Sequence, residues 1–306
     1  MVLQRHLSLT AWSLLALLAL VWGGSYLCNR IALEQVPVLT TVAFRVGGAS
    51  LALWAYVAIR RLPVALTPGL ALRFLGMGIL NNVIPFTLIV WGQQHIPSGL
   101  AAILNATTAI LAVLIAAMVF ADERLTRAKG MGILIGFAGV CVIVGPTVLA
   151  QFDITSLGQL AMLGAALSYG VSGTYARIML GGLRPEVQAA GMLTAATVIM
   201  LPAALWYDGL PALTYAPATW AALSYLALMS SAFAYVIFYR VLTLAGAGNL
   251  QLVTLLVGPV AVALGALFYA EALHPNEYAG FAIIALGLLV IDGRVHFPRE
   301  KPAKPG

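Results

Sequence analysis

Phe120-Ala121-Asp122-Glu123-Arg124-Leu125 and Phe268-Tyr269-Ala270-Glu271-Ala272-Leu273 are the two stretches whose reading decides the fold. They lie 148 positions apart (271 minus 123), and each leads into a glycine-spaced apolar run. The same offset lays Gly132 on Gly280 and Gly139 on Gly287. An offset of 147 (177 minus 30) lays Trp22 on Tyr169, Gly23 on Gly170, Ser25 on Ser172 and Arg30-Ile31 on Arg177-Ile178. Chance matches come easily in an apolar chain. Charged residues, however, are only 8% of this one, and two pairs of them coincide. The chain therefore reads as a duplication, with halves 1–150 and 151–306.

The rest of the composition says where such a chain lives. Of 306 residues, 62% are hydrophobic, and the mean hydropathy is +0.99. A soluble domain carries about 25% charged residues to cover its surface; this chain cannot. In a bilayer apolar side chains face lipid and backbone polar groups are satisfied within helices. Alternating lipid-out, polar-in strands are missing, which argues against a membrane barrel. The net charge of +6 does not point to nucleic acid, because the basic residues sit at the ends of apolar runs. Cys28 and Cys141 fall in apolar stretches and give neither a disulfide framework nor a metal-binding spacing. No phosphate-binding GxxxxGK occurs.

A transmembrane helix needs about 20 mostly apolar residues. Ten stretches qualify: 10–32, 37–59, 71–93, 97–119, 129–148, 158–178, 187–206, 217–239, 248–269 and 275–292. The first sits behind Arg5 like a secretion leader, but it continues through Trp22-Gly23-Gly24-Ser25-Tyr26 without a cleavage signal and is read as a retained helix. Of the 16 Lys and Arg, all but Arg30 and Arg45 fall at the N-terminus, in the loops after the even-numbered spans, or in the C-terminal tail. Positive charge marks the cytoplasmic side, so both termini are expected in the cytoplasm. The fold class expected is an all-α polytopic membrane protein with ten transmembrane helices as two inverted five-helix repeats. Five spans per half is odd, so the second half enters from the opposite face. Inverted repeats of this kind support alternating access around a midplane site.

Trp22-Gly23-Gly24-Ser25 in the first span, with the acidic residues Glu123 and Glu271 closing the fourth and ninth, resembles the drug/metabolite transporter (DMT) superfamily, EamA type. The likeness covers about residues 10–292 and is nearest to the branch that exports aromatic amino acids across the bacterial inner membrane. The resemblance implies export of aromatic and other neutral amino acids, a multi-pass inner-membrane location, and a monomer or homodimer. Small multidrug exporters of that superfamily carry a glutamate midway through the first helix. Here that place is Leu17-Leu18-Ala19-Leu20, which disfavours a cation/proton antiporter of that kind.

Polar residues inside spans are expensive and face protein or water. Asn81 and Asn82 precede Pro85 in the third span, and Asn82, Phe86, Ile89 and Gln93 share a helical face. Asn105 and Thr108 lie three apart in the fourth. Ser230, Ser231 and Tyr235 in the eighth, and Gln251 and Thr254 in the ninth, mirror them. Trp22 and Tyr26 in the first span pair by the repeat with Tyr169 and Gly173 of the sixth, with Ser172 and Tyr175 nearby. Amides, hydroxyls and rings, with little charge, suit a zwitterion bearing an apolar or aromatic side chain. The competing reading of each is interhelical glue.

Arg45 is expected to snorkel to the interface, Gly132, Gly136, Gly280 and Gly287 to serve close packing, Glu123 and Glu271 to pair with a base or donor, and His95 to be structural. No carboxylate falls midway along a span, so a proton relay is not evident. No catalytic cluster, cofactor or metal site is expected, and the partners expected are the lipid bilayer and a small-molecule substrate, namely amino acids. A channel would want a continuous pore with charged or carbonyl rings, and none is evident.

Overall fold

The computed structural model describes residues 7–96, 98–123, 125–153, 156–212, 214–269 and 274–291. Expectations placed on Arg5, Arg124, Glu271, Leu273 and the basic tail beyond Ile291 lie outside these residues. Among the described residues all regular structure is helical.

Helix α1 runs Leu9–Leu33, opened by Ser8, whose side chain accepts from Ala11 N at 3.1 Å. Helix α2 is Val38–Ile59. Helix α3, Pro68–Gly92, starts with Thr67 as cap and Pro68 in its first turn, and widens into a π-helical turn at Ile79–Val83. Helix α4 is Ser98–Val119 and α5 is Arg127–Val144, capped by Thr126. Helix α6 is Leu157–Met179 and α7 is Pro185–Tyr207. Helix α8, Pro217–Ala245, carries a longer π-helical segment at Tyr225–Phe233. A single turn, Ala247–Leu250, leads into α9, Val253–Tyr269, and α10 is Pro275–Ile291.

Seven helical stretches of the described chain are long and apolar enough to cross a membrane: α1, α2, α3, α5, α7, α8 and the run Ala247–Leu264. Ile103–Val119 and Pro275–Ile291 are shorter apolar helices. The surface is inverted relative to a water-soluble protein. Leu51, Met118, Val198 and Leu228 stand exposed, while Asn81, Asn82, Ser172, Ser230, Ser231 and Gln251 are buried. That distribution suits lipid outside and polar contacts inside.

Packing runs across the halves. α5 lies against α10, α2 against α7, α4 against α6, and α1 against α9. Further, α3 packs on α6 and α7, and α8 packs on α1 and α2. The α5–α10 seam is a glycine contact: a Cβ on Gly139 would sit 2.9 Å from Gly280 O, and one on Gly287 would sit 2.6 Å from Gly132 O. Backbones this close admit no side chain, so these glycines serve packing within one chain.

Helix ends fall into two sets. On one face Arg73 Nη1 donates to Met179 O at 3.4 Å, Tyr175 OH donates to Arg73 O at 3.2 Å, and Arg177 reaches the end of α4. On the other, Asp208 at the end of α7 accepts from Thr40 N at 2.7 Å and Thr40 Oγ1 at 2.8 Å, satisfying the first turn of α2. On that same face Gln35 accepts from Ala216 N at 2.8 Å, and Asn276 donates to Ile143 O at 2.9 Å.

Candidate functional site

The two π-helical segments set the site. A π turn inserts a residue into an α-helix and recurs at functional positions. The one in α3 holds Asn81 and Asn82, and the one in α8 holds Ser230 and Ser231, all four fully buried. Asn82 Nδ2 donates to Tyr235 OH at 2.9 Å, and Tyr235 OH donates to Asn81 O at 3.3 Å, which couples α3 to α8. Asn81 Oδ1 accepts from Ser172 Oγ at 2.7 Å, which couples α3 to α6. Asn81 Oδ1 and Asn82 Nδ2 are thus spent on helix contacts, while Asn82 Oδ1 is buried without a partner among the described residues.

Beside them is a cavity of about 610 Å3, counting its open mouth. Of the residues expected to line a site, Trp22, Tyr26, Phe86, Asn105, Tyr169, Gln251 and Thr254 do so. Asn81, Asn82, Thr108, Ser172, Tyr175, Ser230 and Tyr235 are not part of its wall. Tyr175 lies at the helix ends with Arg73. Ser230 serves the wall from behind: its carbonyl accepts from Trp22 Nε1 at 3.0 Å and fixes that indole. Trp22, Phe238 and Tyr235 form a ring cluster with centroids 5.7–6.2 Å apart. Such spacings favour edge and tilted contacts. Gln251 Nε2 donates to Tyr169 O at 3.1 Å, joining the lead-in of α9 to α6.

Arg45 overturns its sequence reading. It does not snorkel outward; it is 6% exposed and turned into the protein. Nε donates to Ser231 Oγ at 2.9 Å, Nη2 to Ser230 Oγ at 3.0 Å, and Cζ lies 3.8 Å from the centre of the Phe86 ring. The hydroxyls and ring face compete successfully with the interface for the guanidinium. The sequence signal was present, a serine pair about one repeat from the asparagine pair, but nothing in α2 alone pointed to it. Ser25, Asn29, Ile89, Val90, Phe238 and Val257 also line the cavity and had not been singled out as site residues. Asn29 Nδ2 donates to Gln93 Oε1 at 3.4 Å, and the Oδ1 atoms of Asn29 and Asn105 are buried without a partner among the described residues.

At the face bearing Arg177 a second polar cluster closes the helix ends. Glu123, buried, accepts from Ala247 N at 2.8 Å, from Gly248 N at 2.7 Å and from Arg177 Nη1. Gly246, at φ +83°, lets the chain turn there; a Cβ would stand 2.6 Å from Glu123 Oε1. Arg177 also pairs with Asp122 at 2.6 Å and covers the Phe120 ring at 4.1 Å. That hydrogen bond holds the Asp122 carboxyl below the usual carboxylate range. Glu123 thus pairs with a base and backbone donors, as its place in the sequence suggested. His95 stacks on Trp91 and lies 2.8 Å from its carbonyl through Nδ1, a local structural contact. Among the described residues no group of three or more His, Cys, Asp or Glu comes together.

A family model described as the EamA-like transporter family matches residues 10–145 and again residues 156–292. The "Probable terminal-alkyne amino-acid exporter" of Streptantibioticus cattleyicolor is 28% identical over 98% of this chain and 99% of its own length. The "Uncharacterized inner membrane transporter YedA" of Escherichia coli K12 is 26% identical over 94% of this chain and 92% of its own. A solved structure titled "Crystal structure of protein" superposes with a TM-score of 0.74 at 20% identity, covering 92% of this chain and 98% of that one, a likeness of fold.

Proposed function

We propose that this chain, which belongs to the EamA-like transporter family, exports neutral amino acids, aromatic ones included, from the bacterial cytoplasm by alternating access. The observation that carries the substrate is the cavity: rings of Trp22, Tyr26, Phe86, Tyr169 and Phe238 form its apolar part, and Asn29, Asn105, Gln251 and Thr254 its polar part. Family membership makes it a membrane transporter of a small molecule. The choice of amino acids draws support from the wall's chemistry and from the named exporter among its relatives.

The mechanism follows from an inverted repeat of two five-helix halves, 1–150 and 151–306, ten spans in all. Supporting it are the doubled family match, the exchange of packing partners and the glycine seam. Under the repeat, α1–α9 and α4–α6 are equivalent contacts, and so are α3–α6 and α8–α1. Two conformations of similar energy then differ by which face is sealed. Here Glu123 and Arg177 tie together the ends of α4, α6 and the lead-in to α9, so this conformation is closed at that face. The distribution of Lys and Arg supports reading it as the cytoplasmic face, with both termini inside. A few charge-assisted hydrogen bonds, each worth about 1.5–3 kcal/mol, suit a seal that must open every cycle.

A screen in proteoliposomes tests the reading. Labelled phenylalanine, methionine and threonine should enter faster than in protein-free vesicles. Uptake of nucleosides or lipophilic cations with no amino acid among the substrates would refute the substrate class and leave the fold in place.

A further inference from the structure

Among the described residues Arg45 has no counter-ion. Its hydrogen-bond partners are two neutral hydroxyls, its third contact is a ring face, and no carboxylate pairs with it among the described residues. Every described acid lies at a helix end or in a loop: Glu34, Asp122, Glu123, Asp153, Glu186, Asp208 and Glu277. A buried, unpaired cation is costly away from water, yet this one forms part of a cavity wall.

We infer that Arg45 is the carboxylate anchor of the transported molecule and that the unpartnered carbonyl oxygens of Asn29 and Asn105 receive its ammonium group. The inference rests on the amino-acid reading above and names the groups that do the recognising. The serines occupy Nε and Nη2 and hold the guanidinium plane, which leaves Nη1 to donate to a carboxylate. Such charge-assisted bonds are the stronger kind. Asn29 and Asn105 are 3% and 7% exposed, and both line the same cavity. Two buried acceptors without donors are an unmet demand, and an ammonium brings three N–H bonds and a charge to meet it. Trp22, Tyr26 and Phe238, in the same wall, receive the side chain. The ligand class is a zwitterion with one carboxylate: one arginine neutralises one charge, and a dianion would leave the second unpaired.

The test uses the purified full-length protein in detergent and reads displacement of labelled phenylalanine. Unlabelled phenylalanine should compete best. Phenethylamine, which lacks the carboxylate, and 3-phenylpropionate, which lacks the amine, should each compete at least about 10-fold more weakly. Arg45→Gln should weaken phenylalanine by roughly 10- to 100-fold, with Arg45→Lys in between. Phenethylamine competing as well as phenylalanine in the wild-type protein overturns the anchor, and that arm needs no variant to fold. Phenylalanine bound within twofold of wild type by a folded Arg45→Gln protein also overturns it, while the amino-acid reading stands. If labelled phenylalanine does not bind but labelled 3-phenylpropionate binds in an Arg45-dependent manner, the carboxylate anchor holds and the amino-acid reading and ammonium site fall.

Discussion

Glu123→Gln should shift the protein away from the conformation sealed at the Arg177 face. In the wild type one carboxylate satisfies three donors: Ala247 N, Gly248 N and Arg177 Nη1. The amide can keep its oxygen in the Oε1 place, where Ala247 N and Arg177 Nη1 both donate, but it turns an NH2 toward Gly248 N, so that donor is orphaned and the bond from Arg177 loses its ionic partner. Losing a charge-assisted hydrogen bond costs about 1.5–3 kcal/mol. Arg177 is partly exposed and its share is screened, so about 2 kcal/mol is the expected change. If the contact exists in only one conformation, that cost becomes a population ratio of roughly 30-fold. The assay replaces Cys28 and Cys141, places a cysteine at Ser25 or Thr254 in the cavity wall, and compares labelling by an impermeant maleimide from each side of membrane vesicles. Labelling from the cytoplasmic side should rise in the Glu123→Gln protein. An unchanged ratio between the two sides, in protein that elutes as a folded species, would refute the role of the cluster as a seal.

Three further outcomes follow from the packing and charge. Asn82→Leu removes the donor to Tyr235 OH but leaves that hydroxyl Asn81 O as acceptor, a loss of about 1 kcal/mol; transport rate should fall several-fold with the half-saturating concentration nearly unchanged, and a selective rise in that concentration would instead place Asn82 on the substrate. Gly139→Ala forces a methyl to within 2.6 Å of Ile284 Cγ1 and should cost about 1–3 kcal/mol of stability in detergent, with no change counting against the seam. The Asp122–Arg177 contact lowers the folded carboxyl below its ordinary 3.8, so its stabilisation is present above the unfolded value and is lost as pH falls through the folded one. Asp122→Asn should therefore narrow its gap to wild type only below about pH 4; a gap that is the same at pH 3 and pH 7 would contradict the pairing.

The all-helical membrane class and the places of the long apolar helices were legible because hydropathy is written locally. The ends of α1, α2 and α7 fall within two residues of the expected 10–32, 37–59 and 187–206, since Pro37 and Pro185 punctuate the chain there. The lead-in turn Ala247–Leu250, set apart from α9, was not legible, because Gly246 with its positive φ acts through Glu123, distant in the chain. The π-helical segments were invisible for a similar reason. An extra residue in a turn leaves hydropathy unchanged, and Asn81-Asn82 looked like a wall, whereas their side chains bond Ser172 and Tyr235 on neighbouring helices. Arg45 was misread because its stabilisation comes from α8 and α3, on other parts of the chain. Trp22, Tyr26, Asn105, Tyr169, Gln251 and Thr254 were legible as a set, since polar and aromatic groups in apolar spans have few other places to go.

Countertransport tests the central claim most directly. Purified protein in vesicles preloaded with unlabelled phenylalanine should accumulate labelled phenylalanine or methionine transiently, faster than empty vesicles do, and the initial rate should saturate. A carrier with one site exposed alternately to each face must behave this way, because return of a loaded site exchanges one amino acid for another. Flux that rises linearly with concentration and is indifferent to the internal load would contradict alternating access.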